Sequence, residues 1–457
     1  METGKPKKRL NLKNSISVRL IVIGILTLLL LIPLEFIKNL IYERMSRQEE
    51  VVEEISKKWG KEVLLYGPIL KIPYKEYKVV YKYDNKTKSN ITEKQNSGHS
   101  YAYFFPEQLN IKSTINPEEK KRGIYKTAVY KSLININGTF STPDFSEKEI
   151  LEEDILWDKA KIIVQTSNLK GVNNLIEIKM NNNDYPLKTT LDNEKDDNHY
   201  NRIELHNLES KHIKKDDLPT KNAIHFSLSM NINGSEQIRF IPVGKETEVN
   251  IKSNWKTANF LGEFLPYNSD KITTNGFDAK WKVLDINRPF AQQTFGIIPN
   301  LKNYAFGVNF KIPVDEYQKS ERSAKYGILV IALTFIIFFL IQTMSKIMIH
   351  PFQYLMIGIA LSMFYTLLIS ISEHSSYLIA YLIAGIAVVL LITAYSKTIL
   401  KNIKFPMLIG SSLTVLYTFI FVIIQLESYA LLVGSIGLFI ILAIVMFASR
   451  KIDWQNG

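Results

Sequence analysis

The chain has 457 residues, 46% of them hydrophobic and 22% charged, with a formal net charge of +12 and no cysteine. At roughly 100–200 residues per domain the length allows two to four domains. The missing cysteine excludes disulfide frameworks, iron–sulfur clusters, cysteine-bearing zinc sites and cysteine nucleophiles, although it leaves the compartment open. The apolar residues crowd into the first 40 and last 135 positions, on either side of a stretch rich in Lys, Asn, Asp and Glu. That distribution excludes a soluble enzyme and points to a membrane protein with a large water-soluble insert. The positive charge is also unevenly placed: +5 lies on residues 1–19 and +3 on residues 326–457, leaving +4 for everything between. A nucleic-acid-binding domain needs a basic stripe, and none is present. The excess instead flanks apolar segments, where it sets membrane orientation.

A hydrocarbon core about 30 Å thick needs about 20 mostly apolar residues per helical span. Six segments come close, at roughly 18–37, 326–342, 352–371, 377–395, 405–424 and 430–448. The first has the basic head and Leu-rich body of a signal peptide, but no small-x-small cleavage site follows it. It reads as an uncleaved anchor. Beyond it Ile37, Leu40, Ile41, Met45, Val52, Ile55 and Trp59 recur at near-helical spacing, so the helix is expected to continue and lay this face on the soluble domain. The loops carrying Lys346, then Lys397, Lys401 and Lys404, and the tail with Arg450 and Lys451, alternate with loops at 372–376 and 425–429 that lack Lys and Arg. By the positive-inside rule both termini are cytoplasmic, and residues of about 38–325 lie outside.

Period-2 alternation dominates residues 60–315, most clearly at Ile224, Phe226, Leu228, Met230 and Ile232. It predicts strands with one buried and one wet face. Gly67-Pro68, Asn137-Gly138, Asn233-Gly234 and Asn275-Gly276 read as turns. Short helix is expected near Ser146–Glu153, and long hairpins or loops at 84–100 and 181–217. The fold class expected is therefore an α-helical membrane bundle, one N-terminal anchor helix plus five C-terminal spans, with an inserted, mainly antiparallel β domain. That domain is sandwich-like and possibly two-lobed, because Leu109–Ser113 echoes Val249–Ser253. Roughly 280 residues suffice for a core without covalent staples.

Several stretches, taken in order, carry a resemblance. They are LLIPLEFIKNLIYER (29–43), YGPILKIPY (66–74), KRGIYKTAVYKSLININGTF (121–140), FLGEFLPYNSDKITTNGFDAKWKV (260–283), PVDEYQKSERSAKYGILVIALTFIIFFL (313–340) and HPFQYLMIGIALSMFYTLLISISEH (350–374). Through them the chain resembles the CreD family of bacterial inner-membrane proteins. The resemblance implies a location in the inner membrane and a role in envelope integrity. It also implies expression under a two-component system that answers envelope and cell-wall stress. It implies no reaction, and it brings no catalytic residues with it.

The residues themselves offer little chemistry. Around Gly244-Lys245 a phosphate-binding loop fails, with Arg239 in place of the first Gly and Glu246 in place of Ser/Thr. No G-x-S-x-G or H-E-x-x-H occurs. His199, His206 and His212 cluster in a polar stretch and read as solvated loop residues, because a metal site needs converging ligands and partners behind them. His225 reads as a surface residue on a strand. The pairs Glu152–Glu153 and Asp216–Asp217 read as solvated carboxylates. The spans hold almost no charge at mid-depth, unlike those of ion-coupled carriers. Small residues at Gly358 and Ser362, Ala380 and Ala384, and Gly434 and Gly437 read as helix-packing positions.

The candidate site is the junction before the second span. On a helix Lys319, Arg322 and Lys325 share a face, and Glu321 lies among them. Glu373 and His374 sit at the outer tip between spans three and four. Lys319, Arg322, Lys325, Glu373 and His374 are expected to meet at one membrane level, and with Glu321 they form a polar junction that either docks the soluble domain or holds an anionic lipid head group. The alternative is plain interfacial anchoring. The reading is a non-enzymatic protein without cofactor or metal, whose partners are membrane lipids and an envelope protein or lipid, not nucleic acid. The competing readings are lipid or amphiphile handling, which requires an apolar groove near Lys325, and an envelope hydrolase, which requires a nucleophile and base within hydrogen-bond reach.

Overall fold

A computed structural model describes residues 16–84, 89–190, 203–220, 222–310, 312, 315–345, 347–400, 402–426 and 429–450. The chain divides into two compact units, one made of Met1–Glu49 and Pro313–Gly457, the other of Glu50–Ile312.

The first unit is helical. Residues 16–59 form one long helix in two pieces, α1 (Ile16–Leu29) and α2 (Leu31–Trp59), with a single turn residue at Leu30. Pro33 has no amide hydrogen to donate, which interrupts the ladder at that point. At 1.5 Å per residue the 44 residues extend about 66 Å, far more than a bilayer core requires. A short polar helix, α3 (Asp315–Lys325), precedes α4 (Gly327–Ser345), α5 (Pro351–Ser372), α6 (Tyr377–Ile399), α7 (Lys404–Gln425) and α8 (Ala430–Ser449). Among the described residues six helices are long and apolar enough to cross a membrane, one N-terminal and five C-terminal, close to the segments expected. A helix suits that environment because all its backbone groups bond within the segment.

The small residues mark contacts. A Cβ on Gly358 would lie 2.1 Å from Leu30 Cδ1, and one on Gly437 would lie 2.0 Å from Phe419 Cζ. Ala380 and Ala384 are fully buried on α6. His350 caps α5: its Nδ1 accepts from the Phe352 amide at 3.2 Å, and its own amide donates to Gln353 Oε1 at 2.9 Å. This reciprocal cap fixes where the helix begins.

The face Ile37–Leu40–Ile41–Met45 of α2 does not lie on the soluble domain as expected. It belongs to the apolar cluster of the helical unit, together with Ala324 and residues of α4 and α5. Only the last turns of α2 join the β unit, where Glu54 pairs with Arg122 and the Lys120 ammonium sits over the Trp59 ring, 5.4 Å from its centre. A shared helical period says which side is apolar, not which neighbour covers it.

The second unit is a 16-stranded sheet. In chain order its strands are β1 (Val63–Asp84), β2 (Ser89–Phe104), β3 (Gln108–Arg122), β4 (Tyr125–Phe140), β5 (Lys161–Thr166), β6 (Glu177–Met180), β7 (Asn183–Thr189), β8 (His206–Ser210), β9 (Ile224–Ser235), β10 (Gln237–Phe240), β11 (Glu246–Ser253), β12 (Asn259–Leu261), β13 (Ile272–Thr273), β14 (Gly276–Leu284), β15 (Gln293–Phe295) and β16 (Phe306–Asn309). One half runs β12-β16-β10-β1-β5-β8-β7 and the other β6-β9-β4-β3-β11-β14-β13, joined where β7 pairs with both β8 and β6. Pairing is antiparallel except at β1·β10 and β3·β11. The halves close on each other through rings: Trp281 lies 5.5 Å from Phe306, and Tyr130 lies 5.3 Å from Phe310.

The result is sandwich-like, with one apolar cluster reaching from Val63 to Phe310. The two lobes considered from sequence thus share a single core. The echo between Leu109–Ser113 and Val249–Ser253 has a local cause. The segments lie side by side on parallel strands, with Val249 opposite Ile111. Neighbouring strands that bury one face must alternate in the same phase.

Three of the four expected turns are strand positions. Asn137-Gly138 lies within β4, Asn233-Gly234 within β9, and Gly67-Pro68 within β1 at a break in register. Only Asn275-Gly276 turns, between β13 and β14. Glycine is needed for space instead: a Cβ at 138 would lie 2.0 Å from the Gln108 carbonyl oxygen, and one at 234 would lie 2.4 Å from the Tyr130 hydroxyl. Glycine within a strand often marks such close approach. Gly138→Ala is therefore expected to lower stability by about 1–3 kcal/mol, as overpacking does. Gly24→Ala, with nothing within 4 Å of the added carbon, is expected to lower it by no more than about 0.5 kcal/mol, the range of an unconstrained substitution. Thermal unfolding of the full chain in detergent compares the two.

Candidate functional site

The helix α3 owes its place to small residues. Ser320, Ser323 and Ala324 are buried, at 1%, 0% and 1% exposure, and this face lets α3 pack against α4, α5, α6 and α7. Ser323 Oγ donates to the Lys319 carbonyl at 2.8 Å and lies 2.6 Å from the Tyr377 hydroxyl, which then acts as donor to Ser323. Glu321, Arg322 and Glu373, beside this seam, each bind different partners.

Glu321 Oε1 accepts from Lys325 Nζ at 2.8 Å and from the Tyr42 hydroxyl at 2.7 Å. Glu373, the C-cap of α5, accepts from the Tyr317 hydroxyl at 3.4 Å and pairs with Arg44 Nε at 3.4 Å. Arg322 donates to the Ile423 carbonyl near the end of α7 at 3.4 Å. Lys319 is half-buried and His374 is exposed on the turn after α5. Three of the six expected residues, Glu321, Lys325 and Glu373, thus fall into two latches, Tyr42–Glu321–Lys325 and Arg44–Glu373–Tyr317, while Arg322 braces α7. His374 joins neither.

Two residues of the first helix, Tyr42 and Arg44, complete the latches, and sequence reasoning missed them. Arg44 follows Ile37 by seven residues and Ile41 by three, so it shares their helical face and Tyr42 flanks it, and nothing in that spacing marks either as a partner of α3 or α5. The chemistry of the latches is positional. Hydrogen bonds from Lys325, then from Tyr42, hold the Glu321 carboxyl below the usual carboxylate range, and the same bond raises the Lys325 ammonium. Both acids are committed as acceptors.

The other sequence candidates are structural. Asp217 is 4% exposed and accepts from Asn183 at 2.8 Å, Asn181 at 3.2 Å and the Tyr185 hydroxyl. Burial and then that carboxylate push the Tyr185 hydroxyl up to about 12. Glu152 accepts from Trp157 Nε1 at 2.8 Å. His225 is exposed on β9. His206 and His212 lie on and just after β8, and His199 lies outside the described residues; among those residues no group of ligands is placed to hold a metal ion. Ser210 and His212 line one cavity, but the Ser210 hydroxyl donates to the Lys211 carbonyl and not to the imidazole. Sequence also missed Arg288, 6% exposed, which donates to the Phe290, Val243 and Gly244 carbonyls and to Gln292. The glycine tested as part of a phosphate loop is thus an arginine acceptor.

Apolar space does occur near Lys325. A groove of about 360 Å³ runs beside Leu31, Leu34 and Ile328, with Glu35, Lys38 and Lys325 at its rim.

Glu321 has a lowered folded pKa, so its stabilisation is full above the unfolded value and fades as pH falls through the folded one. Glu321→Gln is expected to lower the stability of the helical unit by about 0.5–1 kcal/mol at pH 7, the range of a partly exposed pair. Melting curves of wild type and variant should begin to converge as pH falls below the ordinary Glu pKa of about 4.3 and meet only below the lowered folded one.

The family model described as inner membrane protein CreD matches residues 15–455, so the chain belongs to the CreD family. It is 29% identical over 436 residues to the inner membrane protein CreD of Escherichia coli (strain K12), covering 93% of this chain and 91% of that protein. With its six apolar helices it is a multi-pass inner-membrane protein.

Proposed function

We propose that this CreD-family protein supports cell-envelope integrity without catalysing a reaction, by engaging an envelope component through its β unit. We place that unit outside the inner membrane and both chain ends in the cytoplasm, from the loop charges.

The observation that carries the binding reading is an arm. Beyond Tyr74, β1 pairs only with β2, through Asp84 opposite Ser89. Its base is fastened by Tyr77, whose hydroxyl donates to Asp154 at 2.8 Å, and by Lys75, 3.5 Å from the same carboxylate. Past that point Val79, Val80 and Tyr81 are 54%, 41% and 74% exposed. A two-stranded hairpin is marginal in water, and natural sheets keep apolar side chains off free strands. Apolar residues retained on such an arm suit a partner that covers them.

A second reading, binding of membrane lipid, is favoured by the groove beside Lys325. Its apolar wall suits an acyl chain, and the ammonium groups of Lys38 and Lys325 suit a phosphate head group. The β unit's own interior is filled with aliphatic and aromatic side chains, which confines a site for an acyl chain to the helical unit.

Val79→Ser with Tyr81→Ser is expected to leave the melting temperature almost unchanged, as exposed substitutions do, yet to abolish rescue of a deletion strain's envelope-stress sensitivity. Full rescue by the double variant would sink the arm as the binding element. Orientation is checked separately, because the cysteine-free chain accepts single reporters. Leu175→Cys and His374→Cys should react with a membrane-impermeant thiol reagent on spheroplasts, and Lys397→Cys only after permeabilisation. The reverse pattern would invert the topology.

A further inference from the structure

The β unit holds a second feature, independent of the arm and of the helical latches. On one face of the sheet, Lys71 of β1 lies directly opposite Lys161 of β5, and Lys188 of β7 lies opposite Glu209 of β8. Like charges placed directly opposite across two strands are destabilising. A fold under no other demand has little reason to keep a lysine pair there.

The pair is held by one carboxylate. Glu209 Oε1 accepts from Lys71 Nζ and Oε2 from Lys161 Nζ, each at 3.0 Å. The Glu209 side chain is 9% exposed, Lys71 17% and Lys161 31%. Burial acts to raise the Glu209 pKa, but the hydrogen bonds from both lysines outweigh it and leave the value lowered, so the group stays ionised at neutral pH. Lys71 is further fixed over the Tyr101 ring, 4.4 Å from its centre. One negative charge thus positions two ammonium groups and leaves one positive charge unbalanced.

Lys161 and Glu209 form the floor of a cavity of about 550 Å³, whose wall carries Lys188, Lys211, His212 and Thr190; Lys71 holds Glu209 from outside that lining. Among the described residues, Lys188, Lys211 and His212 take part in no ion pair or side-chain hydrogen bond. The Thr190 hydroxyl is buried and has no hydrogen-bond partner, although a buried hydroxyl normally has one. Among the lysines and carboxylates of the lining, Lys161, Lys188 and Lys211 outweigh Glu209 by two charges. The wall therefore offers ammonium groups and an unspent hydroxyl around a space of ligand size. Lysine ammonium groups of this kind bind phosphate as point charges.

We infer that this cavity is a binding site for a phosphate-bearing ligand, with the phosphate held by Lys161, Lys188 and Lys211 above the Glu209-fixed floor. The remaining volume takes the organic part of a phosphate ester. The inference gives the β unit a ligand class of its own, and it stands or falls separately from the arm, because the arm double variant leaves the cavity intact.

The test uses the purified full chain in a non-ionic detergent at low salt, with inorganic pyrophosphate as the probe, followed by titration calorimetry and by 31P NMR line broadening. Saturable binding at one site is expected. Lys188→Ala with Lys211→Ala should weaken it about tenfold or more, equivalent to about 1.4 kcal/mol or more. Lys245→Ala with Lys282→Ala should change it less than about twofold, since both lysines are exposed and already paired elsewhere. Displacement of pyrophosphate by glycerol phosphate would identify a soluble phosphate ester as the source. Displacement only by short-chain phosphatidylglycerol would identify a lipid head group. Either outcome supports the site. Absence of saturable binding, or equal binding by the Lys188/Lys211 variant, would overturn it. So would binding seen only after neutralising Asp192, Glu194, Asp196 and Asp197, which would make the chain's own carboxylates the occupant.

Discussion

The helical unit depends on how closely the first helix approaches the others. Leu30 and Leu34 are 1% and 2% exposed, and each fills a notch left by a glycine, Gly358 on α5 and Gly327 at the start of α4. In lipid no hydrophobic force drives one apolar helix toward another, so close packing must do it. The notch at 358 fixes the height of α1 and α2 against α5. That height brings Tyr42 level with Glu321 and Arg44 level with Glu373. The latches are a consequence of the seam. Their bonds are modest and partly exposed, and without the leucines seated they would have no defined geometry to act on.

This ordering explains what was legible in the sequence. Hydropathy alone located the five C-terminal apolar helices, and the start of the first, to within a few residues, because a bilayer requires about 20 apolar residues whatever their neighbours are. Period-2 alternation located β9 and β11 for a similar reason. A helical face or a strand face declares itself locally. Its partner does not. The stripe from Ile37 to Trp59 is continuous in sequence, yet its first half is buried among helices and its last turns join the sheet. The same limit applied at the junction. Lys319, Glu321, Arg322 and Lys325 were visible as a charged cluster before a span, whereas Tyr42 and Arg44 lie more than 270 residues away, and nothing local pairs them. His374 was grouped with Glu373 by adjacency, but one residue further round the turn points it into solvent.

The misread glycines teach a related lesson. Asn-Gly is a strong turn signal because glycine tolerates positive φ. At Gly138 and Gly234 the demand is different: a crossing carbonyl and a buried tyrosine hydroxyl occupy the place of the missing side chain. Both needs select the same residue, so sequence cannot separate them without knowing what lies across the strand. Carboxylates behave alike. Asp217 and Glu152 have the composition of acid–base groups and the environment of structural acceptors, each satisfied by nearby Asn, Tyr or Trp donors.

The contrast between Asp217 and Glu209 separates a structural hub from a site. Both are buried carboxylates with several donors. Asp217 is surrounded by neutral donors, so the carboxylate ends the network, and the charge it carries is spread over amides and a phenol. Glu209 faces two ammonium groups, with Lys188 and Lys211 on the wall beside them, so its neighbourhood remains positive after every internal bond is made. A network that serves only the fold can close on itself with neutral donors, as the one around Asp217 does. The arrangement around Glu209 is open on the side where its cavity lies, and the open valence has one sign. That asymmetry distinguishes residues that finish a fold from residues that wait for something outside it, and it is visible only once β1, β5, β7 and β8 are in register.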